Sequence, residues 1–339
     1  MQSIIEMKVL LCRALVYSVV FLSSAHCSVN EKYDPSYFPP DFADLFDKRD
    51  TASLNFMIIS DWGFNGSINQ LKVASEMEEV ARLVKMEFVL TSGDNFQGNG
   101  VKSAKDILWT KNFENVYSDS SLLIPWYPAL GNHDYLGNPE AQVQYSSINS
   151  IWNMPDRYYT FVKKINPSNS VRFIVLDTPG LIEEFEKLRY MGSFDSIAQY
   201  RWFESVLSIS QEQWIIVTGH HPIFSASSYH GGSEEMNKMI RPLLSKYGVD
   251  FYFCGHDHHF EHARENNSIT DFIVTGTGGE TRQTGFDFNS VFTLSRLGFT
   301  YISLYDDRAK LYFITSEGEI GYHFERLKSY EVASRICRK

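Results

Sequence analysis

The stretch EFVLTSGDNFQGNG (residues 87–100) decides how the chain is read. EFVLT is a short apolar run with the content of a buried strand. It breaks off at Gly93, and the chain then offers Asp94, Asn95 and Gln97 among turn-forming residues. A glycine lets the backbone turn sharply after a strand. In open α/β sheets, ligands bind just beyond the carboxyl ends of strands. The same pattern returns along the chain. LNFMIIS ends on Asp61-Trp62-Gly63, and PWYPAL runs into Gly131-Asn132-His133-Asp134. QWIIVT runs into Gly219-His220-His221-Pro222, and DFYFC into Gly255-His256-Asp257-His258.

VRFIVLD and DFIVTG read as two more buried strands. Between the first two strands, Leu71, Ala74, Met77, Ala81 and Val84 recur at helical spacing, with Ser67-x-x-Gln70 as a capping box. Helical patterns also fit residues 197–208 and 234–247, and TYISLYD with KLYFITS reads as a closing hairpin. Strand and helix in alternation predict an α/β fold, with helices covering sheets. The expected layout is one domain over residues 54–325, an arm over 28–53 and a solvated basic tail over 326–339.

Lys8 and Arg13 precede the apolar run ALVYSVVFL and the small residues SSAHCS. That is the layout of a signal peptide over residues 1–27, cut after Ala25 or Cys27; an uncleaved anchor is the alternative. The expected destination is the secretory pathway, either secreted or in a lysosome- or vacuole-like compartment. The sequons at Asn65 and Asn266 fit it. Cys254, inside FYFC, reads as a buried free thiol, and a Cys27–Cys337 bridge has no support. With 31 Lys+Arg against 41 Asp+Glu, a net charge of -10 argues against nucleic acid as partner. It leaves an anionic substrate open, because bound metal reverses a local field. No later segment is long enough for a membrane span, and the expected state is a monomer.

A lone Asp or His after a strand is usually a turn or cap residue. Five strand ends mixing Asp, Asn and His point instead to metal. Oxygen donors with imidazoles suit Zn, Mn or Fe rather than Ca. His256 and His258 either share one ion or serve two, and so many donors are most economically read as two metals sharing a carboxylate.

DWG, GDNF, GNHD, GHHP and GHDH, in this order from Asp61 to His258, resemble the five motifs of the purple acid phosphatases. These are calcineurin-like metallophosphoesterases, and the likeness is greatest to the small, tartrate-resistant branch. KNFENVYSDSSL, PWYPALGNHDYLGN and RPLLSKYGVDFYFCGHDHH extend it. The resemblance implies a four-layer sandwich of two mixed sheets flanked by helices, with two metal ions at one edge. It places Asp61 and His258 on the first metal, Asp94 between the two, and Asn132, His220 and His256 on the second. His133 and His230 face the substrate, whereas His221 and His259 have no family role and read as structural or solvent-facing. The implied reaction is hydrolysis of a phosphate monoester by in-line attack of a metal-bound hydroxide, with diesters as a weaker alternative.

Gln97 departs from the family, which has a tyrosine there whose phenolate binds ferric iron and gives the purple colour. The wider family has a histidine where this chain has Gly63. Gln97 is either a weak amide ligand in the vacated position or an ordinary loop residue. The expected consequences are weaker ferric binding, no purple band, a divalent occupant and a pH optimum nearer neutral. The alternative function is a phosphatase-like scaffold or anchor, of the kind the glideosome-associated protein of apicomplexan parasites represents. A metal-binding protein without turnover is a third reading. Glu183, Glu184 and Glu186 lie where the small branch carries a loop over the site, and either restrain anionic substrates or are simply solvated.

Overall fold

A computed structural model of the chain describes residues 54–182 and 194–328. The expected signal segment and arm, Glu183, Glu184 and Glu186, and residues 329–339 lie outside the described residues.

The apolar runs are continuous because their strands are covered on both faces. In β6 (Trp214–Thr218), Trp214 and Ile216 enter one core cluster while Ile215 and Val217 enter another. In β7 (Phe251–Cys254) the alternation repeats, with Phe251 and Phe253 on one side and Tyr252 and Cys254 on the other. Successive side chains of a strand point to opposite faces, so a central strand must be apolar at every position.

These strands sit in a seven-stranded sheet ordered β10-β8-β9-β7-β6-β5-β4. Its other members are β4 (Tyr159–Lys164), β5 (Ser170–Val175), β8 (Phe260–Arg264), β9 (Asp271–Thr275) and β10 (Ser290–Leu294). A six-stranded sheet, β13-β12-β11-β1-β2-β3, faces it. It holds β1 (Leu54–Ile59), β2 (Phe88–Thr91), β3 (Trp126–Pro128), β11 (Gly298–Leu304), β12 (Arg308–Thr315) and β13 (Ile320–Leu327). Both sheets are mixed: β1, β2 and β3 run parallel, as do β5, β6, β7 and β9, and antiparallel strands complete each sheet. Phe56 and Phe88 of one sheet meet Phe173 of the other edge-on, at ring distances of 5.3 and 5.2 Å. The helices Ser196–Ile209, Glu234–Met239 and Arg241–Tyr247 cover the outer face of the larger sheet through Phe203, Leu207, Met236 and Leu244. The α/β four-layer sandwich of two mixed sheets flanked by helices, expected from the sequence, is present.

Three details differ from expectation. Ser67 caps the helix Ile68–Leu83 by accepting the Gln70 N–H, but the Gln70 side chain does not complete the box. Its Oε1 takes the N–H groups of Phe64 and Gly66, tying down the loop after β1. The single helix expected over 234–247 is two, Glu234–Met239 and Arg241–Tyr247, parted at Ile240; Pro242, in the first turn of the second, has no N–H with which to continue the hydrogen-bond ladder of the first. Finally, Arg326 belongs to β13 rather than to a tail. It pairs with buried Asp271, and Lys328 Nζ sits 2.6 Å from both oxygens of Asp250. Cys254 is buried and free, as expected.

Candidate metal centre

The parallel strands of both sheets end at one edge, and their next residues converge there. β1 delivers Asp61, β2 Asp94, β3 Asn132 and His133, β6 His220, and β7 His256 and His258. Reaching this arrangement strains the chain. Asp61, Asp94 and His256 all hold positive φ, at 55°, 49° and 68°. A left-handed backbone costs a side-chain-bearing residue about 1–2 kcal/mol, a cost that recurs at functional sites. Two glycines make the close approach feasible. A Cβ on Gly93, whose φ is 93°, would sit 2.7 Å from His220 Nδ1. A Cβ on Gly255 would sit 2.3 Å from Asp61 Oδ2.

One half of the centre gathers His220, His256, Asn132 and Asp94. Asn132 Oδ1 lies 3.1 Å from His220 Nε2 and 3.1 Å from His256 Nδ1. Asp94 Oδ2 is 3.4 Å from His220 Nε2. The other nitrogen of His220 meets the Ser92 carbonyl at 2.9 Å, so Nδ1 must carry a proton. The Nε2 lone pair of neutral His220 then faces two oxygens. Three acceptors aimed at one point need a cation or a proton between them. Burial disfavours protonation of His220, but the Asp94 carboxylate wins and raises its pKa to about 9. Burial, reinforced by His220 and His230, holds His256 well below its usual value. Asp94 is likewise opposed by burial, yet His220, His133 and His256 together keep it below the usual carboxylate range.

The other half gathers Asp61, His258, Asp94 and Gln97. Asp61 Oδ2 accepts the His256 N–H at 2.9 Å. Asp61 Oδ1 is buried, accepts no hydrogen bond among the described residues, and lies 3.4 Å from His258 Nε2. The Gln97 amide donates to Asp94 Oδ2 at 3.2 Å, so this side chain is at the site rather than out in the loop. An orphaned buried carboxylate oxygen beside an imidazole, and converging acceptors a few ångströms away, fit two cations. Asp61, Asp94 and His220 offer ligand atoms within 4.8 Å of one another, and so do His220, His221 and His256.

Of the residues expected to face substrate, His133 is half-buried at the mouth, its Nδ1 3.1 Å from the Gly98 carbonyl and its N–H on Asp94 Oδ1. His230 is exposed, its ring 4.1 Å from that of His256 and its Nε2 3.5 Å from Arg282 Nη1. Neither His221 nor His259 faces solvent. His259 pairs with Glu261 at 2.8 Å, a structural role, whereas His221 lies against the centre, its ring 4.5 Å from His256.

Supporting residues were not evident in the sequence. Asp134 accepts N–H groups from Gly131, Asn95 and Phe96, binding the β2 and β3 loops together. Asn95 uses both ends of its amide, taking hydrogen bonds from Trp62 and Thr91 and giving them to Ala129 and Gln142. Thr178, after β5, accepts the N–H groups of His220 and His221 on its hydroxyl. Glu280 and Arg282 come from the loop after β9, a strand end that, like that of β5, the motif reading did not follow.

Asp177, beside Thr178, carries a testable consequence. Burial raises its pKa to about 7, against the opposing pull of Tyr135 and Arg157. The folded chain therefore holds a proton that the unfolded chain releases near pH 4. The contribution of Asp177 to stability is fully present below about pH 4 and is lost as pH rises toward about 7. Asp177→Asn is expected to flatten that slope and to stabilise the protein at pH 7.5 by on the order of 2 kcal/mol. Urea melts at pH 5 and pH 7.5 check it; an unchanged slope in the variant would assign the pH dependence elsewhere.

Comparison with known proteins agrees with the geometry. Residues 54–260 match the family model described as calcineurin-like phosphoesterase. Rat tartrate-resistant acid phosphatase type 5 is 32% identical over 295 residues, covering 79% of this chain and 88% of that one. Among solved structures, the Plasmodium protein described as "GAP50 the anchor in the inner membrane complex" superposes with a TM-score of 0.74 at 27% identity. That match covers 82% of this chain and 89% of the other. The purple acid phosphatase of yellow lupin seeds shares the fold with a TM-score of 0.61 at 17% identity, over 83% of this chain and 55% of that one. The chain belongs to the calcineurin-like phosphoesterases, as a relative of the tartrate-resistant and purple acid phosphatases.

Proposed function

We propose that the chain is a metal-dependent phosphatase that hydrolyses phosphate monoesters at a dinuclear site. Asp61 and His258 would hold the first metal, Asn132, His220 and His256 the second, with Asp94 shared and Gln97 beside the first. The observation that carries this reading is the convergence of Asn132 Oδ1, Asp94 Oδ2 and His220 Nε2, next to the orphaned Asp61 Oδ1. When bound, Fe, Zn or Mn ions would supply the positive charge that holds phosphoryl oxygens and acidifies a water molecule.

The chain's own residues set the rest. Gly93 and Gly255 let the donors approach, and Asp134 and Asn95 hold their loops still. His133 and His230 stand at the open side of the centre, where an imidazole can hold a phosphoryl oxygen or pass a proton to the departing alkoxide. The signal-like segment before Cys27 and the exposed sequon residues Asn65 and Asn266 support a secretory compartment. Among the described residues no helix is long and apolar enough to cross a membrane.

Hydrolysis of an aryl phosphate by metal-stripped protein reloaded with Fe, Zn or Mn, across pH 4 to 8, tests the reading. Turnover should vanish on stripping and return on reloading, with its optimum nearer neutral than acid. A scaffold or anchor is the second reading, favoured by the likeness to the Plasmodium anchor protein and by the neutral amide at position 97. Protein that takes up two ions per chain without turning over would favour it.

A further inference from the structure

Strand β9 ends as the motif-bearing strands do: Thr275 is followed by Gly276-Thr277-Gly278-Gly279 and then Glu280, Thr281 and Arg282. The loop runs tight against the first half of the centre, where a Cβ on Gly276 would lie 3.0 Å from Asp61 Oδ2. It is pinned there because the Arg282 N–H donates to the His258 carbonyl at 2.7 Å. This path sets Glu280 Oε2 3.0 Å from His258 Nδ1, within ion-pair distance but not aligned as a hydrogen bond, beside a buried nitrogen that has no hydrogen-bond partner among the described residues. On the other side of the same ring, His258 Nε2 faces Asp61 Oδ1 at 3.4 Å. Arg282 holds Glu280 from behind, with Nη2 3.7 Å from the same oxygen, and its guanidinium lies over the Tyr229 ring at 4.3 Å.

An imidazole that gives one nitrogen to a metal usually gives its other N–H to a carboxylate, carbonyl or water. That partner fixes the tautomer, orients the ring and makes it a stronger donor. We propose that Glu280 is the positioning carboxylate of His258 at the first metal, placing a negative charge just outside a ligand set in which Gln97 contributes only a neutral amide. The inference rests on the dinuclear reading above. Its competitor is a surface ion pair between Glu280 and Arg282 with no bearing on the centre, since half of the Glu280 side chain is exposed.

The full chain is stripped of metal and titrated with Co(II) against a competing chelator, following the Co(II) visible bands. Wild type should take two equivalents. Glu280→Ala should weaken one of them about 10–100-fold and shift its band, leaving the other equivalent unchanged. The metal-free melting temperature should not move. Glu280→Gln keeps an acceptor oxygen but no charge and should fall between the two. Wild-type affinities in Glu280→Ala would overturn the proposal while leaving the dinuclear reading intact. Equal losses at both equivalents, or a lower metal-free melting temperature, would mark a general structural role and overturn it too. A wild type that binds no Co(II) would remove both readings together.

Discussion

Asp94→Ala is expected to lower aryl phosphate turnover by about 10³-fold or more, and to leave the protein unable to retain two metal equivalents. The size follows from position. Asp94 Oδ2 faces His220 in one half of the centre and Gln97 in the other, and Oδ1 holds the backbone N–H of His133. One truncation therefore removes a shared ligand, a negative charge and the anchor of a substrate-side residue. Groups that act as a unit fail together rather than additively. Asp94→Asn separates charge from shape. Asparagine tolerates the positive φ of 49° at this position and keeps an acceptor for His133, so the fold should change little while metal retention still fails. Metal content after dialysis and turnover are measured on the same samples. If Asp94→Asn kept more than a tenth of wild-type turnover, hydrolysis would not run through this centre.

The centre was legible in the sequence because its signal is local. A buried strand, a turn and a donor lie within ten residues of one another, and the arrangement repeats at β1, β2, β3, β6 and β7. What stayed hidden depends on partners distant in sequence. Glu280 is exposed and unremarkable until the fold sets it against His258, and Arg326 looks like a tail residue until β13 carries it to Asp271. The strands β4, β8, β10 and β13 also escaped notice. YTFVKK and IGYHFERL carry charges and half-buried positions because they are edge strands, whereas FEHAR is buried but for Arg264 and was masked by its polar Glu261 and His262. His221 is buried and its Nδ1 meets the Thr178 hydroxyl, in keeping with a structural reading, but its place beside His256 was not visible in the sequence, since periodicity does not say which buried imidazole abuts another.

The choice between enzyme and anchor turns on what the protein has kept. A scaffold needs only the fold, and nothing in a scaffold repays three strained residues and an orphaned buried carboxylate oxygen at one point. Strain of this kind persists where the surrounding structure over-determines it and a function uses it. Under the dinuclear reading the unusual feature is the neutral amide at position 97, set against the carboxylate of Asp94.

Gln97→Tyr should therefore produce the largest gain of any single change. The Gln97 side chain already points at Asp94 Oδ2, and the chain beyond it is open: Gly98 and Asn99 are exposed, and a Cβ on Gly98 would meet nothing within 4 Å. A tyrosine rooted at the same Cα would reach further from the backbone than glutamine does, past the position the amide now holds beside Asp94. As phenolate it replaces a neutral amide with an anion, and a trivalent ion gains most from that charge. Loss of an outer partner costs metal affinity 10–100-fold, so gain of an inner anionic ligand should raise ferric affinity by at least about 100-fold. A charge-transfer band should appear in the visible spectrum on ferric loading of Gln97→Tyr and be absent from the wild type. Turnover of the ferric variant should move toward acid, because a trivalent ion acidifies water more strongly than a divalent one. A ferric titration followed by absorbance, with the aryl phosphate pH profile of both proteins, measures all three effects. If the variant stayed colourless with iron bound, position 97 would not be the vacated ligand position.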